Sequence, residues 1–567
     1  MARQGGQAGN KARQAADHFA AGEKALAEGD LSGALTGYFR ALALAPKHPG
    51  YLQSAVALIG VTDGYVLPAV IREILGKAAE EPGFNCQPLH RALRWSLVHD
   101  SLGREFLALA ERDGDAVEAA LAGPNFEPIL KDRLVRAVLQ RAVIVSPEIE
   151  ALAKRLRRHA LERRDASCLL SSRLGFFACL AAQVFNTEYA YDALPEEEAA
   201  LDTLLADGPP AEPSLLALIG AYRPLIDVLG ETAPPHPSKF PELAFLFRQQ
   251  IAEPRRERAL KATIPALTPV SADLSDRMRA QYEAFPYPRW FGVDHVRPRP
   301  FGQVIVERFS DVHFGTLPQG PVEILIPGCG TGQQIAQVAS LFKHARITAV
   351  DLSLTSLAYA SRKLDALGIK LHRFGQADIL AMRDWDERYD FIECMGVLHH
   401  MERPEEGLAV LTGLMKPHGI MRLGLYSARV RGEFDGARKF VAEHSLPDTP
   451  EGVRTARKLI ADLPAGDSIR EAMESQDFFS ISGLHDLVFN VHECSYTPLD
   501  LKQLLDDAGL ELLGFDHPDP GVTIRYRARF PDDPAQTDLA NWEAFEADFP
   551  GTFASMFVFW CRQKVTG

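Results

Sequence analysis

The sequence predicts an α/β protein in which a helical N-terminal part precedes a domain with a nucleotide-binding turn. Residues 322–332 form an apolar strand that runs directly into three glycines at alternating positions. The next predicted strand, Ile347 to Val350, ends in Asp351. Residues 50–250 instead carry apolar side chains at helical spacing. These three observations predict the fold class.

The glycine turn narrows the kind of ligand. Gly328, Gly330 and Gly332 lack a Cβ where the backbone must bend and where a ligand can lie against the main chain. Their G-x-G-x-G spacing differs from the dinucleotide pattern G-x-G-x-x-G, which disfavours a nicotinamide or flavin. Asp351 stands where an acid can accept hydrogen bonds from both hydroxyls of a ribose.

Three further motifs follow in order: residues 376–379, residues 389–400, and residues 414–419 before a predicted strand from Ile420 to Leu425. The whole set resembles the S-adenosylmethionine (SAM) site of class I methyltransferases. The resemblance implies a Rossmann-like, seven-stranded sheet, SAM as the cofactor, and contact between the acid of residues 376–379 and the adenine. The cofactor-binding residues predicted in these motifs are Gly328, Cys329, Gly330, Gly332, Asp351, Leu352, Asp378, Ile379 and Cys394.

An aromatic segment, residues 281–290, stands just before the glycine turn. Its rigid aromatic and proline residues suit a preorganised lid or an interdomain clasp, and a packed linker is the alternative. We predict that Tyr282, Tyr287 and Trp290 close over the methionine end of the cofactor. This segment, together with residues 185–189, resembles bacterial proteins that couple tetratricopeptide-type helices to a methyltransferase.

The N-terminal part contains one recognisable repeat, over residues 15–48, which is similar to a tetratricopeptide unit. The residues that carry this similarity are Gly22, Gly29, Ala34, Tyr38, Ala41 and Pro46. A single repeat cannot bury its hydrophobic face, so we expect an irregular stack of helices to follow it.

These patterns predict three domains. Residues 1–260 are assigned to a helical, tetratricopeptide-like domain that binds a substrate or partner, residues 261–300 to a linker and aromatic lid, and residues 301–567 to the methyltransferase domain. Residues 428–490 interrupt the last domain as a helical insertion, at the point where such enzymes build a substrate cap. A helix from Leu499 to Ala508 and strands at residues 512–515 and 555–561 then complete the sheet. The resemblance implies that the last strand runs antiparallel beside the sixth.

Composition limits the function classes. The chain has 567 residues, 46% of them apolar, and a net charge of −14, which argues against a nucleic-acid partner. Its seven cysteines contain no C-x-x-C pair, which fits a reducing compartment and no metal site. Neither a signal peptide nor a membrane-spanning stretch is recognisable, so we predict a cytoplasmic protein without a membrane partner.

Methyl transfer is an in-line displacement, and a base is needed only when the acceptor arrives protonated. The candidate catalytic residues are Glu393, His399, His400, His492 and Glu493. A histidine of the Leu-His-His sequence acts either as the base or as a support for its loop. Glu393 and Glu402 resemble the paired-glutamate loop of protein arginine methyltransferases, although His399 and His400 lie between them. Surface exposure of Glu402 is the alternative.

The predicted function is SAM-dependent methyl transfer to a protein or peptide side chain presented by the helical domain. One alternative is a small-molecule methyltransferase in which the helices form a lid or a dimerisation module. Another is a SAM-binding scaffold without catalysis. The chain lacks Asn-Pro-Pro-Tyr and Asp-Pro-Pro-Tyr after the fourth strand, which disfavours exocyclic base amines and glutamine amides as acceptors. The acceptor atom and the oligomeric state stay open.

Overall fold

A computed structural model describes most of the chain. The described residues are 2–81, 83–232, 239–269, 274–294, 297–310, 312–315, 317–318, 320–517, 520–553 and 556–564. Ser555, the predicted start of the last strand, lies outside them. In the described part of the chain, no helix combines the length and hydrophobicity needed to cross a bilayer.

The N-terminal region is helical. Its α-helices are α1 (Ala2–Ala27), α2 (Leu31–Leu44), α3 (Pro49–Ile59), α4 (Ala69–Ala79), α5 (Leu89–His99), α6 (Ser101–Leu107), α7 (Gly114–Ala122), α8 (Glu127–Leu130), α9 (Arg133–Arg141), α10 (Pro147–Glu162), α11 (Leu174–Asn186), α12 (Pro195–Leu205), α13 (Pro213–Gly220), α14 (Leu225–Leu229), α15 (Ala244–Phe247) and α16 (Glu253–Lys261). Helices α1 and α2 cross closely, since a Cβ on Gly37 would lie 2.7 Å from the Cα of Gly22. This crossing is the helix pair expected for residues 15–48, and the tetratricopeptide assignment stays a prediction.

The C-terminal region contains a sheet flanked by helices. The helices are α17 (Leu274–Ala284), α18 (Phe301–Arg308), α19 (Gln333–Leu341), α20 (Leu354–Ala366), α21 (Pro404–Gly413), α22 (Ala428–Gly432), α23 (Asp435–Glu443), α24 (Pro450–Ala461), α25 (Ile481–Val488), α26 (Pro498–Asp507), α27 (Pro520–Arg529) and α28 (Leu539–Asp548). The strands are β1 (Val322–Pro327), β2 (Ala345–Asp351), β3 (Arg373–Gln376), β4 (Tyr389–Met395), β5 (Met415–Tyr426), β6 (Leu510–Phe515) and β7 (Met556–Gln563).

The strand order is β3-β2-β1-β4-β5-β7-β6, and β7 runs antiparallel to both of its neighbours. The predicted α/β fold with a seven-stranded, Rossmann-like sheet is therefore confirmed. Both faces of the parallel strands are covered, which is why β1 reads as a nearly continuous apolar run. In β1, Ile324 and Ile326 pack on one side of the sheet and Leu325 packs on the other.

Residues 428–490 fold as a helical cap, formed by α22 to α25 with short 3₁₀ turns between them. The cap shares a hydrophobic core with the N-terminal region, because Val143 and Ala190 pack in one cluster with Phe285 and cap residues such as Phe478. A buried ion pair joins the same two regions, with 2.5 Å between Arg457 Nη2 and Glu150 Oε2. The cap thus rests on the helical region, while the domain boundaries stay a prediction.

Candidate functional site

A cavity of about 930 Å³ opens at the carboxyl ends of the parallel strands. Its walls come from the loops after β1 to β5, from the aromatic segment before the sheet, and from the cap. Ligands of open α/β sheets bind at this edge, and the volume lies within the range of about 300–1,000 Å³ that is common for small-molecule pockets.

The glycine turn forms one wall. Gly328 and Gly330 adopt positive φ angles of 68° and 50°. A Cβ on Gly328 would lie 2.4 Å from Cγ2 of Val397, and a Cβ on Gly332 would lie 2.7 Å from the Cβ of Ala360. Packing inside the protein therefore requires glycine at these two positions. Gly330 has more room, because a Cβ there would lie 3.2 Å from the carbonyl oxygen of Tyr287. The Gly330 backbone lines the cavity.

Asp351 lies at the end of β2, beside this turn. Its carboxylate accepts hydrogen bonds from the backbone N–H of Gly330 at 2.7 Å and of Ser353 at 2.8 Å. Burial raises the pKa of Asp351 to about 6, although both backbone donors oppose the shift. Because these donors hold its oxygens in fixed positions, the side chain presents a preorganised acceptor to the cavity.

Asp378 and Ile379 follow β3 and also line the cavity. The Asp378 backbone N–H donates to Oγ1 of Thr268 at 2.9 Å, and the Asp378 carboxylate accepts from the N–H of Leu380 at 2.9 Å. The loop after β3 is therefore anchored to the segment that precedes the aromatic residues.

The aromatic segment contributes two tyrosines to the lining. The Tyr282 hydroxyl donates to Oδ1 of Asp486 at 3.1 Å, and the Tyr287 hydroxyl donates to Oδ1 of Asp477 at 2.9 Å. Trp290 lies behind the glycine turn instead, where its indole N–H donates to the carbonyl oxygen of Thr331 at 2.8 Å. We therefore correct its predicted role from closing over a ligand to supporting the turn.

The cap supplies two acids to the same cavity, Asp477 and Asp486. Asp486 also accepts a hydrogen bond from the Tyr426 hydroxyl, with 3.2 Å between the oxygens. Burial, and then the nearby charge of Asp486, raises the pKa of Asp477 to about 6. Burial raises the pKa of Tyr282 and Tyr287 well above their ordinary value, so both hydroxyls keep their protons and act as donors.

The two histidines occupy different positions. His400 lines the cavity, and its Nδ1 donates to the backbone oxygen of His492 at 2.9 Å. That bond fixes the proton on Nδ1 and leaves Nε2 as the nitrogen that can accept one. His399 stacks on Tyr426 at 3.7 Å between ring centroids, and burial lowers its pKa well below the ordinary value. His399 is thus packed against Tyr426, whereas His400 lies at the cavity.

The predicted glutamates differ in position: Glu402 lines the cavity, whereas Glu393 and Glu493 do not. Glu393 is 3% exposed and forms an ion pair with Arg422 at 3.2 Å, because its side chain points from β4 into the packed interior. Glu402 is exposed at the cavity rim, so these two carboxylates do not face one guanidinium. Glu493 forms ion pairs with Arg431 and Arg438, and these two guanidinium groups neutralise its charge. These contacts argue against direct catalytic roles for Glu393 and Glu493.

The cavity brings together ten of the predicted site residues. They are Tyr282, Tyr287, Gly328, Cys329, Gly330, Asp351, Leu352, Asp378, Ile379 and His400. The other seven do not line it: Trp290, Gly332, Glu393, Cys394, His399, His492 and Glu493.

Sequence reasoning missed Tyr426, Arg431, Asp477 and Asp486, which all line the cavity. Two of them carry a usable signal. Tyr426 ends a parallel strand, where site residues gather, and Asp486 is an acid inside an apolar helix.

Comparisons with known proteins bear on this region. Residues 324–419 match the family model described as a methyltransferase domain. An uncharacterized protein of Synechococcus sp. is 32% identical over 216 residues, which make up 36% of this chain and 51% of that protein. A ubiquinone biosynthesis O-methyltransferase of Rickettsia felis is 26% identical over 171 residues, covering 30% of this chain and 66% of that enzyme.

Among solved structures, PKMT2 from Rickettsia typhi in complex with AdoHcy is similar at 16% identity, with a TM-score of 0.37 and coverage of 50% of this chain and 54% of that chain. The chain spans only 51% and 66% of the Synechococcus and Rickettsia felis proteins. The match to the family model runs from β1 into β5 and includes the glycine turn and Asp351. Residues 324–419 are therefore a methyltransferase domain, within a sheet that has the class I methyltransferase fold.

Proposed function

We propose that this chain transfers a methyl group from SAM to an amine of a protein or peptide side chain. The observation that carries the proposal is one cavity whose lining joins the glycine turn and Asp351 to two cap acids, Asp477 and Asp486. The glycine turn and Asp351 suit a nucleoside, and Asp477 and Asp486 suit a cation.

The cavity fits SAM at its sheet side. Gly330 offers backbone without a side chain, Asp351 offers an acceptor for ribose hydroxyls, and Asp378 with Ile379 would border the adenine. SAM supplies a methyl group on a sulfonium, which needs no metal or acid to become reactive toward a lone pair. The residues of this chain have to bind the acceptor, orient it and remove its proton.

The cap side of the cavity favours a cationic acceptor. Asp477 and Asp486 bring two carboxyl groups into a buried space, and the rings of Tyr282 and Tyr287 line it. Carboxylates and aromatic faces both attract an ammonium group, whereas an anionic acceptor would be repelled by Asp486. Arg431 also lines this region, but its charge is matched by Glu493.

An ammonium group must lose a proton before its nitrogen can attack. Burial lowers the pKa of His400, so its imidazole is neutral near pH 7 and Nε2 can take that proton. The acids meanwhile keep the amine in place and stabilise the positive charge that returns to nitrogen after methylation.

A side chain reaching in from outside fits the shape of the site. Three residues that line the cavity are also exposed to solvent: Glu402, Glu471 and Glu474. The cavity therefore extends from Asp477 and Asp486 to the surface. A lysine-length side chain could enter while its backbone stays outside. A free small-molecule amine is the second candidate, because the buried acids would attract it equally well.

Incubating a cell lysate with the enzyme and methyl-labelled SAM tests the proposal. We expect label in protein, on lysine side chains, and a loss of this label with the Asp351→Ala variant. Label confined to small metabolites would contradict the protein acceptor and favour the second candidate. Label on oxygen would contradict the amine.

The affinity for SAM should fall as the pH drops through about 6, because Asp351, whose pKa is raised to about 6, then becomes protonated. Above that pH the carboxylate is charged and accepts hydrogen bonds fully. Calorimetric titrations at pH 8, 7, 6 and 5 measure the effect. Asp351→Asn should bind weakly with little pH dependence, whereas Asp477→Asn should keep the wild-type profile. A wild-type affinity that stays constant down to pH 5 would rule out this role of Asp351.

A further inference from the structure

The turn after α11 has an unusual backbone. Glu188 and Tyr189 are consecutive non-glycine residues with positive φ angles of 57° and 61°. Non-glycine residues rarely adopt this backbone conformation, and it persists only where the surrounding structure imposes it. Here the Tyr189 N–H donates to the carbonyl oxygen of Val184 at 2.9 Å, and the Tyr189 hydroxyl donates to Oε1 of Gln250 at 3.2 Å. The turn is therefore held firmly within the helical region.

The Glu188 side chain connects this turn to two other parts of the protein. One carboxylate oxygen, Oε1, lies 2.7 Å from Nε of Arg289 in the aromatic segment. The other, Oε2, accepts a hydrogen bond from the backbone N–H of Ser482 at 2.6 Å. The carbonyl oxygen of Thr187 accepts from the N–H of Ile481 at 3.3 Å beside it. The turn thus satisfies two N–H groups in the first turn of α25.

The contacts of Glu188 with Arg289 and with Ser482 both connect it to the cap side of the cavity, where Asp477 and Asp486 lie and where we propose that the acceptor binds. Asp486 lies on α25, four residues after Ser482, and so its position follows from where the start of that helix is fixed. Arg289 lies two residues after Tyr287, whose hydroxyl donates to Asp477. Glu188 does not line the cavity itself. One carboxylate of the helical region is therefore joined to both the cap helix and the aromatic segment.

Building on the proposed function, we propose that Glu188 is a positioning residue for the methyl acceptor. It places Asp486 through α25 and Tyr287 through Arg289, so the helical region completes the acceptor site without contacting the acceptor. The negative charge also suits the helix N-terminus, where backbone dipoles favour an anion.

A matched control exists in the same interface. Glu150 also joins the helical region to the cap, through its buried ion pair with Arg457 on α24, and it does not line the cavity. Glu188→Gln and Glu150→Gln each remove one charge between the helical region and the cap at nearly constant volume. Only the first removes a charge next to α25 and the aromatic segment.

The experiment compares both variants of the full chain by hydrogen exchange and by kinetics with acetyl-lysine methylamide as acceptor. With Glu188→Gln we expect exchange of the amides of residues 481–483 to rise about tenfold and kcat/KM for the acceptor to fall about tenfold, while SAM affinity stays within about twofold. Glu150→Gln should leave both the exchange of these amides and the acceptor kinetics near wild type. Glu188→Asp keeps the charge on a shorter side chain and should recover part of the loss. If Glu188→Gln does not fold, Glu188→Asp is compared with the wild type instead.

Unchanged exchange and kinetics in Glu188→Gln would overturn the positioning role. Equal losses in both variants, following a lower melting temperature, would also overturn it by indicating a merely structural interface. A wild-type chain that fails to methylate the acceptor would contradict the proposed function instead, while the exchange of residues 481–483 would still test the placement of α25.

Discussion

Replacing Gly330 with valine should weaken SAM binding by roughly 100-fold or more, equivalent to about 2.7 kcal/mol. Gly330 has a φ of 50°, which a β-branched residue adopts only with strain. Its backbone lines the cavity, so the added methyl groups would occupy the space where the ligand has to lie against the main chain. Calorimetry with SAM measures the change directly.

Gly368→Val provides the control for backbone strain. Gly368 follows α20 with a φ of 69°, and a Cβ there would meet no atom within 4 Å. This variant should show a comparable loss of stability but bind SAM like the wild type. Normal SAM affinity in a folded Gly330→Val variant would mean that the ligand does not lie against the turn.

Replacing Asp486 with asparagine should lower kcat/KM for an amine acceptor by about 10-fold to 100-fold, because a charged partner contributes roughly 1.5–3 kcal/mol. Asp486 accepts from the hydroxyls of Tyr282 and Tyr426, so the substitution also disturbs two donors that line the site. SAM affinity should stay within about twofold, because the Asp351 side of the cavity is unchanged.

Asp448→Asn is the matched control for the loss of a cap carboxylate. Asp448 lies 2.6 Å from Nε2 of His485, the neighbour of Asp486, but it is largely exposed and does not line the cavity. Its replacement should leave the acceptor kinetics near wild type. If both variants were fully active, the acids would not recognise the acceptor. A parallel loss of SAM affinity in Asp486→Asn would instead point to a general disturbance of the cavity.

The sheet could be predicted because its signals are local. Residues 322–332 combine an apolar strand with glycines that the backbone requires, and the later strands follow in the expected order. Strand ends were less predictable. β5 begins at Met415, five residues before the predicted start at Ile420, since its pairing begins where Met415 meets Tyr389 across the sheet. Such pairing depends on the neighbouring strand and leaves no mark in the sequence.

The cofactor side of the site was more predictable than the acceptor side, because only the cofactor side is built from residues close together in the sequence. Gly330 and Asp351 belong to one strand-turn-helix unit and its neighbour, so their spacing carries information. Asp477 and Asp486 reach the cavity only because the cap folds back over the sheet and packs against the helical region. The ion pair of Glu393 was not predictable either, because its partner Arg422 on the next strand could not be recognised from spacing.

A crystal structure of the full chain with S-adenosylhomocysteine would test the central claim most directly. We expect the adenine beside Asp378, the ribose hydroxyls on Asp351, the backbone of Gly330 against the ligand, and the sulfur facing the space between Asp477 and Asp486. The same crystals soaked with a lysine-containing peptide should show its amine at these two acids. Ligand density elsewhere, or a sulfur directed away from the cap acids, would contradict the proposal.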